Sequence, residues 1–449
     1  MGSDEGSTTR RVARQYEAFP YPPREPQDER TRLIPTYLDH LGRINHYGCR
    51  GRQDFRAGYR VLVAGGGTGD ATVYLAEQLR QTDAEIVHLD LSEQSMDVAR
   101  RRAATRGLKN VTWVQGSLLE LPGMGLGSFD YVNCVGVLHH LGRPEVGLAA
   151  LRAVLTDDGT MGLMVYARCG RTGVYQMQEL MRLVNAAEAD DQRKIDNAKA
   201  VLRALPPTNW FKKGEGLIGD HLKMGDAGIY DMFLHSTDRA YSIGELYGLV
   251  ESCGLHLVAF ELRERAILTP GLAYRDRGLL EVLAPLPKRD QQAALELVNG
   301  TITKHSFYAS PRGDSVAEPE DLDNVPSFHV LPELGKTLHA ELERNPGRKH
   351  MTADLGKGVR LEIDIGPFTK AVLGQMDGKR PLGEIVGRVS AEAGRGAPRD
   401  EVLAEFRRIY EVLNQWDLLL LRHVSVEPPP AGPRPGAEPG DSEPVKPSS

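Results

Sequence analysis

The sequence predicts an α/β fold: a doubly wound sheet of seven strands covered by helices, carrying a helical insertion and followed by a small winged-helix-like α+β domain. Three observations carry this. Short apolar runs alternate with helix-like segments from about residue 58. A glycine-rich turn, VLVAGGGTGD (Val61 to Asp70), follows the first of those runs and opens a helix. The rhythm then stops near residue 310, at an acidic stretch containing three prolines.

The elements follow in order. YRVLVAG is a first strand, and DATVYLAEQLRQ a helix with Leu75 and Leu79 on one face. AEIVHLDLS is the second strand, and Ser92 is placed to cap the helix SEQSMDVARRRAATRG. NVTWVQGS, FDYVNCVGVL and GTMGLMVYA are strands three to five, with the helix VGLAALRAVL between the last two. Residues 170 to about 240 break the rhythm and read as a helical insertion around PPTNWFKKG. The helix YSIGELYGLVESCG, the strand LHLVAFEL, the helix PKRDQQAALELVNG and the strand TKHSFYAS complete the sheet.

These boundaries divide the chain into an N-terminal cover segment (1–57), a core domain (58–310), a linker (311–326, PRGDSVAEPEDLDNVP), a small domain (327–423) and a tail (424–449). The small domain contains a strand VRLEIDI, the helices FTKAVLGQMDG, RPLGEIVGRVSAEAG and PRDEVLAEFRRIYEVLNQ, and a final apolar run DLLLLRH. The proline-rich tail has too few large apolar groups to offset the entropy of ordering, so disorder is expected there.

Composition bounds the function. A chain of 449 residues, 41% of them hydrophobic, is long enough for more than one core. A net charge of −6 supplies no basic field for general nucleic-acid binding. Cys49, Cys134, Cys169 and Cys253 form no CxxC pair, which argues against a disulfide framework and against zinc. The N-terminus has no apolar signal core, and no run approaches the roughly 18 apolar residues of a membrane span. A soluble, cytoplasmic protein is expected.

The glycine turn poses a choice of ligand. A dinucleotide fingerprint needs G-x-G-x-x-G, but the third position here is Asp70, and the spacing present is Gly65, Gly67, Gly69. A carboxylate at the helix start would repel a pyrophosphate. A ligand without phosphate is favoured.

The residues around this turn resemble the class I S-adenosylmethionine (SAM) dependent methyltransferases, whose core is Rossmann-like. The resemblance implies that Gly65, Gly67, Gly69 and Asp70 form the SAM loop, and that Asp90 in HLDLS takes the ribose hydroxyls, with Leu91 beside the adenine. WVQGSLLELP resembles the family's third-strand motif, which implies that Gly116, Ser117 and Leu118 border the adenine; Ser117 replaces the commoner Asp. FDYVNCVGVLHHL resembles the fourth-strand motif and implies that Asn133 and Val135 lie near the methionine and sulfonium. Where the family carries Glu or Asp two residues before the first glycine, this chain has Val63.

Methyl transfer from a sulfonium is a direct displacement that depends mainly on positioning. A base is needed only for a protonated nucleophile. His139 and His140, at the carboxyl edge of the sheet, are the candidates, since imidazole titrates in the useful range; the alternative role for one of them is to orient the loop. Tyr166 ends the fifth strand and is a candidate to line the same pocket. Tyr16 and Tyr21 in QYEAFPYP are candidates to cover the pocket, and Trp210, Phe211, Tyr230 and Phe233 of the insertion to wall an acceptor site, with Lys212 and Lys213 for an anionic group.

The layout, with YxxxPYP at the front and AVLGQMDGKRPLGEIV near the end, loosely resembles bacterial methyltransferases that carry a regulatory region and a small C-terminal domain, among them rickettsial-type protein lysine methyltransferases. Three readings follow: methyl transfer to an O or N atom of a small metabolite, which is favoured; transfer to a protein side chain, using the C-terminal domain for recognition; and a non-catalytic SAM-binding scaffold.

Overall fold

A computed structural model describes residues 3–354, 360–392 and 397–430. The chain forms two compact units, one from Met1–Asp39 and Phe55–Gly313, the other from His40–Asp54 and Asp314–Ser449. No helix among the described residues is long and apolar enough to cross a membrane.

The first unit is built on a seven-stranded sheet. Its strands are β1 (Arg60–Ala64), β2 (Glu85–Asp90), β3 (Val111–Gln115), β4 (Phe129–Val135), β5 (Leu155–Tyr166), β6 (His256–Phe260) and β7 (Lys304–Ser310), in the order β3-β2-β1-β4-β5-β7-β6. β1 to β5 pair in parallel, whereas β7 runs antiparallel between β5 and β6. The chain leaves β6 at the sheet's carboxyl edge and enters β7 from that same edge, with Lys304 opposite Tyr166. The start of β7 therefore joins the ends of the parallel strands.

The longer helices of this unit are α1 (Ser3–Ala18), α2 (Asp70–Gln78), α3 (Glu93–Arg106), α4 (Pro144–Ala153), α5 (Thr172–Val184), α6 (Asp191–Ala204), α7 (Ile243–Ser252) and α8 (Lys288–Asn299), of which α5 and α6 belong to the insertion. Their ends follow local chemistry. Ser92 caps α3 by accepting from Ser95 N, Gly107 closes it at φ 67°, and Ser242 with Glu245 forms a capping box on α7. Leu62, Val87, Leu89, Val132, Leu163 and Phe307 fill the core, each such side chain contributing about 1.5–3 kcal/mol on burial. The insertion has its own smaller core of Val174, Met177, Phe211, Met232 and Phe233.

Two expected boundaries are corrected. Residues 40–54 are not part of an N-terminal cover, and residues 314–326 are not a free linker; both are built into the second unit. Ala317 N donates to His46 O at 2.7 Å, and Ser315 Oγ donates to Tyr47 O at 3.1 Å. The acidic residues that suggest a linker sit on the outside, where Arg52 meets Asp321 at 2.8 Å.

That second unit contains β8 (Asn324–Phe328), α9 (Leu334–Arg344), β9 (His350–Asp354), β10 (Arg360–Asp364), α10 (Thr369–Gln375), α11 (Leu382–Glu392), α12 (Arg399–Asn414) and β11 (Leu419–His423). β9 pairs with β10 and β8 with β11, both antiparallel. Fully buried Asp417 accepts from Arg43 at 2.7 Å and from Tyr47 at 2.5 Å, which locks residues 40–54 into place. Of the proline-rich tail, residues 431–449 lie outside those described.

The strand that carries part of the site is anchored by a buried charge cluster. His305 on β7 meets Glu264 at 2.5 Å and Glu296 of α8 at 3.3 Å. Burial opposes a charge on His305, but the two carboxylates outweigh it and raise its pKa to about 10. A value raised above the unfolded one stabilises fully below the unfolded pKa of about 6.5, and that stability is lost as pH rises through the folded value. The melting temperature should therefore fall between about pH 6.5 and 10. His305→Gln should melt lower at neutral pH and show a flatter slope; parallel wild-type and variant curves would show that His305 is not the charged group.

Candidate active site

β1 ends at Ala64 and the chain turns through Gly65, Gly67 and Gly69, with φ of 71°, 52° and 95°. These are left-handed conformations that a side chain disfavours. Space is equally restricted: a Cβ on Gly65 would lie 2.3 Å from Val137 Cγ2, and one on Gly66 2.3 Å from the His88 ring. His88, which the sequence pattern does not single out, is buried beneath the loop with Nδ1 2.8 Å from Thr72 Oγ1. Burial, reinforced by Arg100, pushes it down to about 3, so it is a neutral support.

Asp90 ends β2 and faces the loop. Its Oδ2 accepts from Gly67 N at 2.7 Å and its Oδ1 from Ser92 N at 2.8 Å. Each carboxylate oxygen keeps further acceptor capacity, which suits a pair of hydroxyls.

A cavity of 860 Å³ lies over this edge of the sheet. Of the expected cofactor residues, Gly65, Gly67, Asp70, Asp90, Leu91, Gly116, Ser117, Leu118, Asn133 and Val135 line it. Gly69 does not; its left-handed turn starts α2. Asp70 needs a correction of role. Its carboxylate is taken by Arg24, at 2.9 and 2.6 Å, and by Arg102, at 2.7 Å. Although burial opposes ionisation, the Arg24 bond and the Arg102 charge hold it below the usual carboxylate range. Its side chain fastens the loop, while the residue itself lines the cavity.

The N-terminal segment covers the loop. Thr68 Oγ1 donates to Pro22 O at 2.7 Å, Ser92 Oγ to Tyr16 O at 3.1 Å, and Tyr16 and Tyr21 both line the cavity. Tyr16 Oη donates to Asp231 Oδ1 at 3.0 Å, and Tyr166 Oη to Asp231 Oδ2 at 3.3 Å. Burial, aided by the Asp231 charge, raises both phenols well above their ordinary value, so both are neutral donors. Asp231 is 5% exposed and absent from the sequence reading; its signal is a lone acid in the apolar stretch GIYDMFL.

The two histidines separate. His140 lines the cavity, and its Nδ1 lies 2.9 Å from Thr237 O. A carbonyl can only accept, so Nδ1 carries a proton, and in the neutral ring Nε2 presents the lone pair. His139, also a candidate base, is corrected: it is fully buried, does not line the cavity, and has no hydrogen-bond partner on either nitrogen among the described residues. Burial, with His140 beside it, drives it well below its ordinary pKa.

His235 stacks on His140, with ring centroids 3.7 Å apart. Ligand atoms of His140, Asp231 and His235 fall within 4.8 Å of one another, a spacing a metal ion would accept. However, His235 Nδ1 accepts from Thr237 N at 3.1 Å, which leaves the proton on Nε2. This nitrogen is set to donate a hydrogen bond, not an electron pair.

The aromatic wall expected from the insertion is also corrected. Trp210, Phe211 and Tyr230 do not line the cavity. Asn209 caps the short helix Trp210–Gly214, turning Phe211 into the insertion's core and leaving Trp210 59% exposed under Lys213. Tyr230 stacks on Phe19 at 5.1 Å, Phe233 is buried in the insertion's core, and Lys212 pairs with Glu215 at 2.5 Å. Leu217, Ile218, Gly219 and Asp231 supply the wall instead.

A family profile described as a methyltransferase domain matches residues 62–161. The chain is 31% identical over 341 residues to an uncharacterised Synechococcus sp. protein, covering 74% of this chain and 78% of that one. It is 24% identical over 188 residues to the ubiquinone biosynthesis O-methyltransferase of Vibrio campbellii, covering 40% of this chain and 77% of the relative. Among solved structures, PKMT2 from Rickettsia typhi in complex with AdoHcy shares the fold, with a TM-score of 0.57 at 13% identity over 86% of this chain and 76% of that one. The chain belongs to the class I SAM-dependent methyltransferases.

SAM is the methyltransferase's cofactor, and the residues fit it. The glycines keep the loop backbone bare where it meets the cavity, since a Cβ on Gly65 would push on cavity-lining Val137, and Asp90 offers paired acceptors. The strand order β3-β2-β1-β4-β5 sets out the subsites. Gly116 to Leu118 follow β3 and Asp90 ends β2 on one side of this order, while His140 follows β4 and Tyr166 ends β5 on the other, and all of them line the cavity.

Gly65→Ala should therefore weaken S-adenosylhomocysteine binding at least about tenfold in calorimetry, since strain of about 1–2 kcal/mol combines with overlap on Val137. Gly58, at φ 67° with nothing within 4 Å of a Cβ, is the control. Gly58→Ala should melt slightly lower and bind normally. Equal binding by both variants would contradict this role of the glycine loop.

Proposed function

We propose that this methyltransferase methylates an oxygen or nitrogen of a small acceptor molecule, with His140 as general base. The observation that carries this reading is the His140 tautomer: Thr237 O holds the Nδ1 proton, and the free Nε2 belongs to a cavity-lining ring beside Tyr16, Tyr166 and Asp231. Bound SAM supplies a methyl group on a positively charged sulfur, open to in-line displacement. His140 Nε2 receives the proton that a hydroxyl or ammonium acceptor must lose. Asp231, held by two tyrosine hydroxyls, orients the acceptor's polar group. Tyr16, Leu217 and Ile218 exclude water from the reacting atoms.

A small acceptor is favoured because α1 and the insertion both contribute walls to the 860 Å³ cavity, a volume that suits SAM with one modest partner. Asp231 favours a second reading, in which the acceptor is a lysine-type amine whose ammonium pairs with this carboxylate before losing its proton. Labelled methyl from SAM, incubated with host extract and the protein, should enter the small-molecule fraction. Label in the protein fraction supports the second reading, and label in neither, despite SAM binding, supports a scaffold. His140→Gln should lower kcat by about 10²–10⁴-fold while S-adenosylhomocysteine affinity stays unchanged. Retained turnover would remove His140 as the base.

A further inference from the structure

Buried carboxylates in the first unit fall into two groups. Glu29 pairs with Arg102 at 2.7 Å, and Glu264 and Glu296 share His305. Asp39 and Asp231, equally buried, have no ion pair among the described residues, and both line the cavity. An unpaired buried carboxylate is costly, so a chain that keeps one facing a binding cavity leaves a place for a cation.

Asp39 lies where the methionine end of SAM is expected. Its Oδ1 accepts from Asn133 Nδ2 at 2.7 Å and from Tyr131 Oη at 2.9 Å, both neutral donors on β4. Asn133 stands opposite Val63 in the β1–β4 register. The carboxylate is thus beside the strand position at which the sequence, by resemblance, lacks an acid. Its seat is specifically shaped: a Cβ on Gly162 of β5 would lie 2.1 Å from Tyr131 Oη, so only a glycine lets that hydroxyl reach Asp39 and Leu38 O. The backbone is fixed too, since Gln78 Nε2 donates to Asp39 O at 2.8 Å. Burial raises the Asp39 pKa despite the bonds from Asn133 and Tyr131, the behaviour of a carboxylate that lacks a positive neighbour.

We infer that Asp39, delivered by the segment ahead of the sheet, receives the α-ammonium group of SAM's methionine and so supplies the charge that Val63 cannot. The inference rests on the family assignment and not on the nature of the acceptor. Asp39 binds cofactor and takes no part in the acceptor's proton transfer.

Calorimetry with two ligands separates this role from a structural one. S-adenosylhomocysteine carries the ammonium; 5′-methylthioadenosine has the same adenosine and thioether but no amino-acid group. Asp39→Asn, which keeps the size and one acceptor, should bind S-adenosylhomocysteine about 10- to 100-fold more weakly and methylthioadenosine within about twofold. Equal loss for both ligands, or no loss for either, would overturn the inference. Should the variant fail to fold, the wild-type protein gives the same answer. An S-adenosylhomocysteine analogue lacking only the α-amino group should bind about 10- to 100-fold more weakly than the parent, and equal affinity would overturn the assignment.

Discussion

Asp70 is the carboxylate around which the binding edge is assembled. It opens α2 directly behind the glycine loop and is shared by Arg24 of the N-terminal segment and Arg102 of α3. Arg102, 1% exposed, also binds Thr68 O at 2.8 Å and Glu29. Burying so many charges is expensive, and their net contribution to stability can be small. What the network fixes is geometry: each carboxylate is shared between two arginines, Asp70 by Arg24 and Arg102, and Glu29 by Arg102 and Arg106. The loop, two helices and the cover segment are therefore held as one piece, and Tyr16, Tyr21 and Asp39 reach the cavity from a chain segment with no strand of its own.

The cavity behind this clamp separates groups by charge and proton. Asp90, Asp39 and Asp231 line it without a basic partner among the described residues, while Tyr16 and Tyr166 are held as neutral donors. His140 Nδ1 donates to Thr237 O, which in the neutral ring leaves the lone pair on Nε2, and Thr237 N donates to His235 Nδ1, fixing the opposite tautomer there. One residue thus orients two stacked imidazoles. Such an environment suits a cationic donor and an acceptor that must give up a proton, which is the demand of SAM chemistry.

The parts legible in the sequence are those set by local backbone constraint. Gly65 and Gly67 with Asp90 repeat a spacing that only a tight turn beside a strand end requires, and the strands announce themselves by apolar runs. Asp39, Asp231, His235 and Arg24 were not legible, because distant segments bring them to the site. Two of these left a trace as lone acids in apolar stretches, TYLDHL and GIYDMFL. Trp210, Phe211 and Tyr230 misled because aromatic content does not say which core a side chain joins, and the insertion has one of its own. Residues 314–326 misled in the other direction: their polar composition hides the pairing of Ala317 with His46.

The most direct test is a crystal structure of the protein with S-adenosylhomocysteine. The account predicts ribose hydroxyls on Asp90, the adenine between Leu91 and Leu118, the ammonium on Asp39, and the sulfur facing the His140 and Asp231 side of the cavity. An amino-acid end turned away from Asp39, or a sulfur on the far side from His140, would contradict it.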